Sequence, residues 1–259
     1  MEKIESVQNP HIKQWLKLKT KKGRQQQQVY LLDGWHLVKE ALRAQIDLQI
    51  ILVTAEFKYQ AEFEELKSTP IKTIEVSAAI AKRLSENPAP QGIFAIAAIS
   101  RKPLNIPAQI SGGWLLLDSV QDPGNIGTMV RTADAAGFAG VVFGEKTADL
   151  FQPKVVRAMQ GSQFHIKLFK GRLVDWITRF KQQQIPVFGT QVSPQAVSYR
   201  QIKAQANLAL IMGNEGNGMT DQLLEMTDRN LYIPILGQAE SLNVAVAAGI
   251  LMFYLHRVD

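Results

Sequence analysis

Short apolar runs alternate with helix-like segments along most of this 259-residue chain. Apolar runs of roughly four to eight residues bounded by turn residues predict buried strands, and the segments between them carry apolar residues at helical spacing. Alternation of this kind is typical of α/β proteins with a largely parallel sheet. Since ligands of such sheets bind beyond the carboxyl ends of the strands, we expect functional residues in the loops that follow strands.

A segment with two prolines and two glycines, residues 101–113, interrupts the alternation and predicts a linker between two domains. The first would be a small α/β domain at residues 1–100. The second would be an α/β domain with a parallel sheet at residues 114–259. A helix that begins at Pro153 is predicted within this second domain, because proline is favoured in the first helical turn.

The composition narrows the chemistry that the chain can perform. It contains no cysteine, which excludes disulfides, thiolate metal sites and a cysteine nucleophile and fits a reducing compartment, so we expect a cytoplasmic protein. Its four histidines are scattered and none has a partner at ligand spacing, so no metal is expected. No apolar run reaches membrane-spanning length free of charge, and the N-terminus has no signal-peptide pattern, so no membrane association is expected.

The formal charge of +6 is concentrated at the N-terminus, where the first 24 residues hold seven Lys or Arg against two Asp or Glu. This segment predicts a basic amphipathic helix from Asn9 to about Lys22 and a polar loop at residues 23–28. A clustered basic patch is typical of proteins that bind a polyanion such as RNA. A solvated lysine-rich helix face would give the same pattern, so charge alone leaves both readings open. The candidate RNA-binding residues are Lys13, Lys17, Lys19, Lys21, Lys22 and Arg24.

The first candidate site loop is DPGNIG, residues 122–127, between a predicted strand and a predicted helix. Capping of the helix by Asn125 is the structural alternative to a functional role. Capping does not account for Arg131, a lone cation in an otherwise small and apolar helix. An arginine near a helix start and a strand end is suited to bidentate phosphate binding.

The second loop is GNEGNGMT, residues 213–220. It resembles a triphosphate-binding loop except that Met219 stands where the lysine is required, so the main electrostatic anchor for a triphosphate is missing. Its glycines favour instead a close backbone approach to a flat or adenosine-like ligand. A plain helix start capped by Thr220 is the structural alternative.

The third loop carries Ser241 and Asn243 in ESLNVAV, just before a long apolar helix. Capping by Ser241 is again the structural alternative. A serine hydrolase is not indicated, because the chain has no G-x-S-x-G motif. The residues alone therefore predict a small-ligand site built from three polar loops.

Three segments in this order, NIGTMVR, IMGNEGNGM and IPILGQAESLNVAVAAGIL, resemble the motifs of the SpoU (TrmH) family of RNA ribose 2′-O-methyltransferases. The resemblance covers residues 114–256, and the segment YLLDGWHLVKEAL resembles the family's small, ribosomal-protein-like domain that binds the RNA substrate. It implies an α/β fold with a deep C-terminal trefoil knot, an obligate homodimer and S-adenosylmethionine (AdoMet) held in the knot. Periodicity alone could not suggest a knot, since knots are nearly absent from proteins.

The resemblance also implies roles for individual residues. The expected cofactor contacts are Gly213, Ile233, Leu242 and, in the cofactor wall, Thr190. Arg131 matches the catalytic arginine, and the polar residues expected around the reacting ribose are Asn125, Glu215, Ser241 and Asn243. Because an arginine pKa above about 12 makes a neutral guanidine costly, we expect Arg131 to hold an RNA phosphate and stabilise the developing alkoxide. Glu215 is the alternative proton acceptor, although an orienting role is favoured.

Several alternatives remain at the level of the sequence. A ribosomal-protein-like RNA-binding module without activity would predict damaged motifs, and the motif residues are intact. A methyltransferase acting on a base nitrogen fits less well with the paired NxGxxxR and SLN segments. The substrate is expected to be large-subunit ribosomal RNA, with tRNA as the alternative. Trp15 could stack on a base, but a position in the core is favoured.

Overall fold

The computed structural model describes residues 2–66, 71–100 and 105–257. Its contacts divide the chain into a first unit, Met1–Pro103 with Asp149–Phe164, and a second unit, Leu104–Ala148 with His165–Asp259. Residues 101–104 of the predicted linker lie outside the described residues. Within the described ranges, no helix has both the length and the apolar character that crossing a membrane requires.

The first unit contains a five-stranded mixed sheet. Its strand order is β1-β4-β3-β5-β2, with β5 antiparallel to both of its neighbours and the other pairs parallel. Helices and strands alternate around it, as the apolar periodicity predicts. The elements are β1 (Glu2–Ile4), α1 (Pro10–Leu16), α2 (Lys21–Gln27), β2 (Val29–Asp33), α3 (Trp35–Arg43), β3 (Leu48–Val53), α4 (Gln60–Leu66), β4 (Lys72–Val76), α5 (Ala78–Leu84) and β5 (Ile93–Ala98).

The second unit contains a seven-stranded sheet in which every pair is parallel, in the order β10-β12-β9-β11-β6-β7-β8. The prediction of an α/β fold with a parallel sheet is therefore confirmed. The elements from residue 113 onward, with α7 belonging to the first unit, are β6 (Gly113–Leu117), α6 (Pro123–Ala135), β7 (Gly140–Phe143), α7 (Pro153–Ala158), β8 (Lys167–Lys170), α8 (Leu173–Gln182), β9 (Val187–Thr190), β10 (Val197–Ser198), β11 (Leu208–Met212), α9 (Asp221–Met226), β12 (Arg229–Tyr232) and α10 (Val244–Leu255).

The central strands β6 and β11 fix where two of the candidate loops begin. All residues of both strands are buried, and Leu117 pairs in register with Met212, the last residue of each strand. Trp114 anchors one face of this sheet, its ring 5.1 Å from that of Trp176 and 5.6 Å from that of Phe169. Because parallel strands end at the same edge, the loops after β6 and β11 start side by side.

The helix predicted to begin at Pro153 is present as α7, but its contacts are with the first unit. The Phe151 ring lies 4.9 Å from that of Tyr30 on β2, and Arg157 donates a 2.8 Å hydrogen bond to the Asn87 side chain. Sequence order had placed this helix in the second domain, because nothing in its own pattern reports which sheet it covers. Gly113, expected at the end of the linker, is the first residue of β6.

The polar loop predicted at residues 23–28 is wrong, because most of this segment belongs to helix α2. The Thr20 side chain caps this helix by accepting a hydrogen bond from the backbone N–H of Gly23. A Cβ at Gly23 would lie 2.0 Å from the Lys17 carbonyl oxygen, so the glycine permits a close approach of two backbone segments. Glutamine is a fair helix former, and a cap supplied from outside the run is enough to make it helical.

The basic patch is only partly as predicted. Lys13, Lys17, Lys21 and Lys22 are exposed, while Lys19 is half-buried and donates to the Ser85 carbonyl. The prediction that Arg24 contacts RNA is wrong, because this residue is 3% exposed. It donates to the Leu18 carbonyl at 2.7 Å and to the Asp149 carboxylate at 2.6 Å. Trp15 is in the core, as favoured.

Replacing Arg24 with alanine should lower the stability of the first unit rather than weaken RNA binding directly. Arg24 is buried, whereas the Asp149 side chain is 20% exposed, so loss of the two hydrogen bonds of the guanidinium should cost about 1–3 kcal/mol. Chemical denaturation followed by circular dichroism measures this, with Lys22→Ala as the matched control on the same helix. Equal stability of the two variants would contradict a structural role for the Arg24–Asp149 pair.

Candidate active site

The three loops singled out in the sequence converge at the carboxyl edge of the parallel sheet. The loops after β6 and β11 begin side by side, as the register of these strands requires. Loop 233–243 follows β12, and β12 pairs with β9 so that Leu231 lies opposite Thr190. The sequence-predicted positions on all these loops are therefore placed at one end of the second unit.

The Glu215 carboxylate joins the loop after β11 to the loop after β6. It accepts hydrogen bonds from the backbone N–H of Asp122 at 3.0 Å and of Gln121 at 3.2 Å. It also accepts from the Asn125 side-chain amide at 3.1 Å. The Asn214 amide of the same loop is a fourth, longer contact at 3.4 Å. The three donors that come from the start of α6 hold it against the glycine-bearing loop.

Asn125 connects this cluster to the third loop. Its side-chain oxygen accepts a 2.9 Å hydrogen bond from the Asn243 amide while its own amide donates to Glu215. The capping role considered for Asn125 is wrong, because Asp122 caps α6 and accepts from the backbone N–H of Asn125. The Asn125 side chain is thereby available to link the loops.

Asn243 has a double role at the start of α10. Its side-chain oxygen accepts from the backbone N–H groups of Ala245 and Val246 and so caps the helix. The capping role considered for Ser241 is therefore wrong. Ser241 is exposed and lines the cavity that lies beside the cluster.

A cavity of about 220 Å³ lies between these loops. All four sequence-predicted cofactor residues line it, together with Glu215 and Ser241. Its walls are mainly apolar side chains and backbone. No backbone hydrogen bond joins residues 233–242 to another described residue. The lining includes Thr190, Met212, Gly213, Leu231, Ile233, Leu242 and Leu251.

Gly213 is required by the loop's own backbone. A Cβ there would lie 2.3 Å from both the Gly218 carbonyl carbon and the Met219 nitrogen. Two hydrogen bonds between Asn214 and Gly218 hold the loop closed at 2.8 and 2.9 Å. Met219 is buried, and its sulfur accepts from the backbone N–H of Thr190. The missing lysine is thus replaced by a residue that packs the loop onto β9.

Arg131 is the one motif residue that the structure does not bring to the cluster. It is exposed on α6, and its side chain makes no hydrogen bond or ion pair with any described residue. It lies six positions after Asn125, a rotation of about 120° to a different face of the helix and a rise of about 9 Å. Within one chain, Asn125 and Arg131 therefore face different directions.

The environment of Glu215 lowers the pKa of its carboxyl below the ordinary value. Burial by itself raises this pKa, but the hydrogen bonds from the Asn125 amide and from the backbone N–H groups of Asp122 and Gln121 more than offset it. The group is consequently ionised at neutral pH and is a weak proton acceptor. An orienting role agrees with this electrostatic environment.

Sequence reasoning passed over two residues that organise the site. The Asn214 amide donates to the Ser119 carbonyl at 2.9 Å, and its oxygen accepts from the backbone N–H groups of Gly216 and Asn217. Buried Asp118 accepts from the Thr220 N–H at 2.7 Å. Each of these polar residues closely follows a buried strand, which was the available signal. Among the described residues there is no group of acidic and histidine side chains that could hold a metal.

Two family models and a curated relative match this chain along most of its length. Residues 114–253 match the model of the SpoU rRNA Methylase family. Residues 9–95 match the model of the MRM3-like substrate binding domain. A 23S rRNA (guanosine(2553)-2′-O)-methyltransferase of Bacillus subtilis is 43% identical over 98% of this chain and 99% of its own length.

Solved structures agree over the same extent. An AdoMet-bound rRNA methyltransferase from Sinorhizobium meliloti superposes with a TM-score of 0.87 and 30% identity, covering 98% of this chain and 97% of its own. The SpoU methyltransferase AviRb from Streptomyces viridochromogenes, in complex with AdoMet, superposes with a TM-score of 0.86 and 25% identity. The match covers 96% of this chain and 97% of AviRb. The resemblance seen in the three motifs is therefore confirmed, and the chain belongs to the SpoU rRNA methylase family.

Proposed function

We propose that this protein transfers a methyl group from AdoMet to a ribose 2′-hydroxyl of large-subunit ribosomal RNA. The observation that carries the proposal is the hydrogen-bonded chain Asn243–Asn125–Glu215 beside a cavity lined by the sequence-predicted cofactor residues. The names of the relatives support the same chemistry and the same cofactor. Two relatives that match over 98% of this chain are named for rRNA alone, which favours ribosomal RNA over the tRNA alternative.

The cavity suits AdoMet by the chemistry of its lining. Apolar walls from Ile233, Leu242 and Leu251 would surround a flat ring system, and the backbone groups of residues 233–242 would offer donors and acceptors to its edges. When bound, AdoMet supplies a methyl group on a good sulfonium leaving group. The 2′-oxygen gains the methyl carbon as the carbon–sulfur bond breaks, and the hydroxyl proton must leave. Positioning of the two reactants can therefore supply much of the acceleration.

None of the described polar residues of the site is a strong base that could accept the proton of the 2′-hydroxyl. Glu215 is held ionised by the N–H donors around it, so its lowered pKa makes it a poor acceptor. The guanidinium of Arg131 can grip a phosphate through two N–H groups and stabilise the developing alkoxide. The proton then leaves through that phosphate or through water. Ser241 and Asn243 are placed beside the cavity, where they can orient the ribose.

We further propose that a second copy of the chain completes the site. Helix α10 packs on α6 and buries Ala245, Ala248, Leu251, Met252 and Leu255. Its opposite face exposes Val246, Ile250, Phe253 and Tyr254, of which Phe253 is 61% exposed. An exposed apolar stripe of this kind favours burial against an identical helix in a homodimer. Such an interface would bring Arg131 of one chain toward the cluster of the other.

Five expectations from the sequence and the family resemblance belong to this proposal. Residues 1–100 would bind RNA, helped by the exposed lysines of the N-terminal patch, and residues 114–259 would form the catalytic domain. Affinity would fall with salt, because lysine–phosphate contacts release counterions. The deep trefoil knot, which the family resemblance implies, and the cytoplasmic location, which the lack of cysteine favours, are retained as part of the proposal.

The direct test compares 2′-O-methylation of cellular RNA with and without the gene. Mapping methylated riboses across ribosomal RNA and tRNA should show the loss of one modification in large-subunit rRNA when the gene is deleted. Its return with the wild-type gene, and not with an Arg131→Ala gene, would tie the change to this site. An unchanged map would refute the proposal, and a loss in tRNA alone would move the substrate to the alternative.

Replacing Glu215 with glutamine should lower turnover about tenfold. The amide keeps one acceptor oxygen but loses the charge that holds three N–H donors, so the loops lose alignment while the proton path remains. Removal of a general base would cost roughly 10²–10⁴-fold. Single-turnover methyl transfer at saturating AdoMet and RNA measures the loss. A drop in the larger range would make Glu215 the proton acceptor.

Replacing Arg131 with lysine should reduce turnover at least about tenfold at saturating RNA. Lysine keeps the positive charge but cannot make the planar two-point contact with a phosphate. RNA binding, measured by filter retention, should change little in comparison. Near-full turnover of Arg131→Lys would show that the bidentate role is wrong.

Replacing Phe253 with glutamate should convert a dimer into single chains. A carboxylate in the apolar stripe of α10 would be buried without a partner at the interface. Light scattering during size-exclusion chromatography should give the mass of two chains for the wild type and of one for Phe253→Glu. The control Thr178→Glu, on the exposed face of α8, should stay dimeric. A wild type that elutes as one chain would refute the second copy.

A further inference from the structure

The first unit contains a cavity of about 750 Å³ that has no part in the cofactor site. It lies where β3 ends and β5 begins, at the edge of the mixed sheet. The backbone N–H of Thr54 donates to the Gly92 carbonyl at 2.8 Å and joins these two strand ends. Helix α5 and the loop at residues 88–92 form the remaining wall.

The floor of the cavity depends on a glycine. Gly92 has a φ of +77°, which side chains rarely adopt, and a Cβ there would lie 2.3 Å from the Thr54 hydroxyl oxygen. The neighbouring loop contains Pro88 and Pro90, which restrict its backbone. Gln91 is fixed as well, since its side-chain oxygen accepts from the backbone N–H of Trp35 at 2.7 Å. The wall is therefore preformed.

An exposed aromatic ring borders this cavity. Tyr59 is 47% exposed, and its ring is nearly parallel to that of Trp35, with centroids 6.1 Å apart and an angle of 13°. Trp35 is itself packed edge-on by Phe57 and Phe63. A tyrosine supported from behind in this way offers one free face, and such rings are the platforms on which unpaired RNA bases stack.

The charges and polar groups at the rim suit a nucleotide. Lys58 and Lys82 are exposed lining residues, and Glu56 is the one acidic residue among the described lining. The Gln91 oxygen is engaged by Trp35, so its amide group remains as a donor with no partner among the described residues. A donor at Gln91 and an acceptor at Glu56 can meet the edge of a base, while the lysines can meet its flanking phosphates.

We propose that this cavity receives one unpaired base of the RNA substrate, which stacks on Tyr59. The inference rests on the proposed function and specifies how the first unit holds its RNA. A base within a duplex could not enter, because its faces are covered by its neighbours. Sequence-specific proteins read RNA at loops and bulges, where bases are free to turn outward. The site is separate from the lysine patch on α1 and α2, which would contact the backbone alone.

Steady-state methyl transfer tests the proposal with ribosomal RNA from cells that lack the gene. Tyr59→Ala should raise the KM for RNA about fivefold or more at unchanged kcat, since loss of one base–aromatic stack costs this much. Tyr59→Phe should stay near the wild type because it keeps the ring.

Lys82→Ala should raise KM more than Arg83→Ala, which removes the same charge from the next position of α5 outside the cavity. Equal effects of these two variants would show that Lys82 contributes only non-specific attraction to RNA, and would overturn the proposal.

Photo-cross-linking gives an independent readout that does not need activity. Ribosomal RNA substituted with 4-thiouridine is irradiated with the wild-type protein, and mass spectrometry locates the attached nucleotide. Attachment to residues 54–59 or 88–92 supports the cavity, and attachment confined to other segments overturns it even if Tyr59→Ala does not fold. If the wild type methylates this RNA but the cavity variants keep its KM, the cavity proposal fails and the proposed function stands. If the wild type transfers no methyl group to any RNA, the proposed function fails and cross-linking alone decides the cavity.

Discussion

The carboxylate of Glu215 is the contact on which the arrangement of the site depends. It lies on the loop after β11 but accepts its hydrogen bonds from the start of α6, which follows β6. Asn125 also accepts a hydrogen bond from the Asn243 side chain, which links the start of α6 to the start of α10. Three loops that are distant in sequence thus share one hydrogen-bonded chain, and the cavity beside it has a fixed edge. Hydrogen bonds from N–H donors to a charged carboxylate are stronger than those between neutral groups, so they can hold the loops together in a partly exposed site.

The parallel register explains why so much of this site was predictable. Apolar runs identified β6, β11 and β12, and parallel strands must end at one edge, so the polar residues after them were bound to meet. The residue that caps each helix was not predictable. Asp122 and Asn125 are both good capping residues near the start of α6, and Ser241 and Asn243 are both good capping residues near the start of α10. Only the fold decides which side chain turns back to the helix. The other side chain of each pair is then available to the site.

Long-range contacts account for what sequence reasoning missed in the first unit. Arg24 sits in a basic run, yet its guanidinium reaches Asp149, 125 positions away, and is buried there. Helix α7 covers β2, although its neighbours in sequence belong to the other unit. Local periodicity reports that a helix is amphipathic but not which sheet it covers. The large cavity beside Tyr59 has the same origin, because its walls come from strand ends joined only in the folded sheet.

A double-mutant cycle on Asn125 and Glu215 tests the central claim most directly. Single-turnover methyl transfer would be measured for the wild type, Asn125→Ala, Glu215→Ala and the double variant at saturating AdoMet and RNA. If the two side chains act as one unit, the double variant loses about as much rate as the more impaired single variant. Losses that multiply would show that the two residues act independently, and would contradict the linkage of the loops through Glu215.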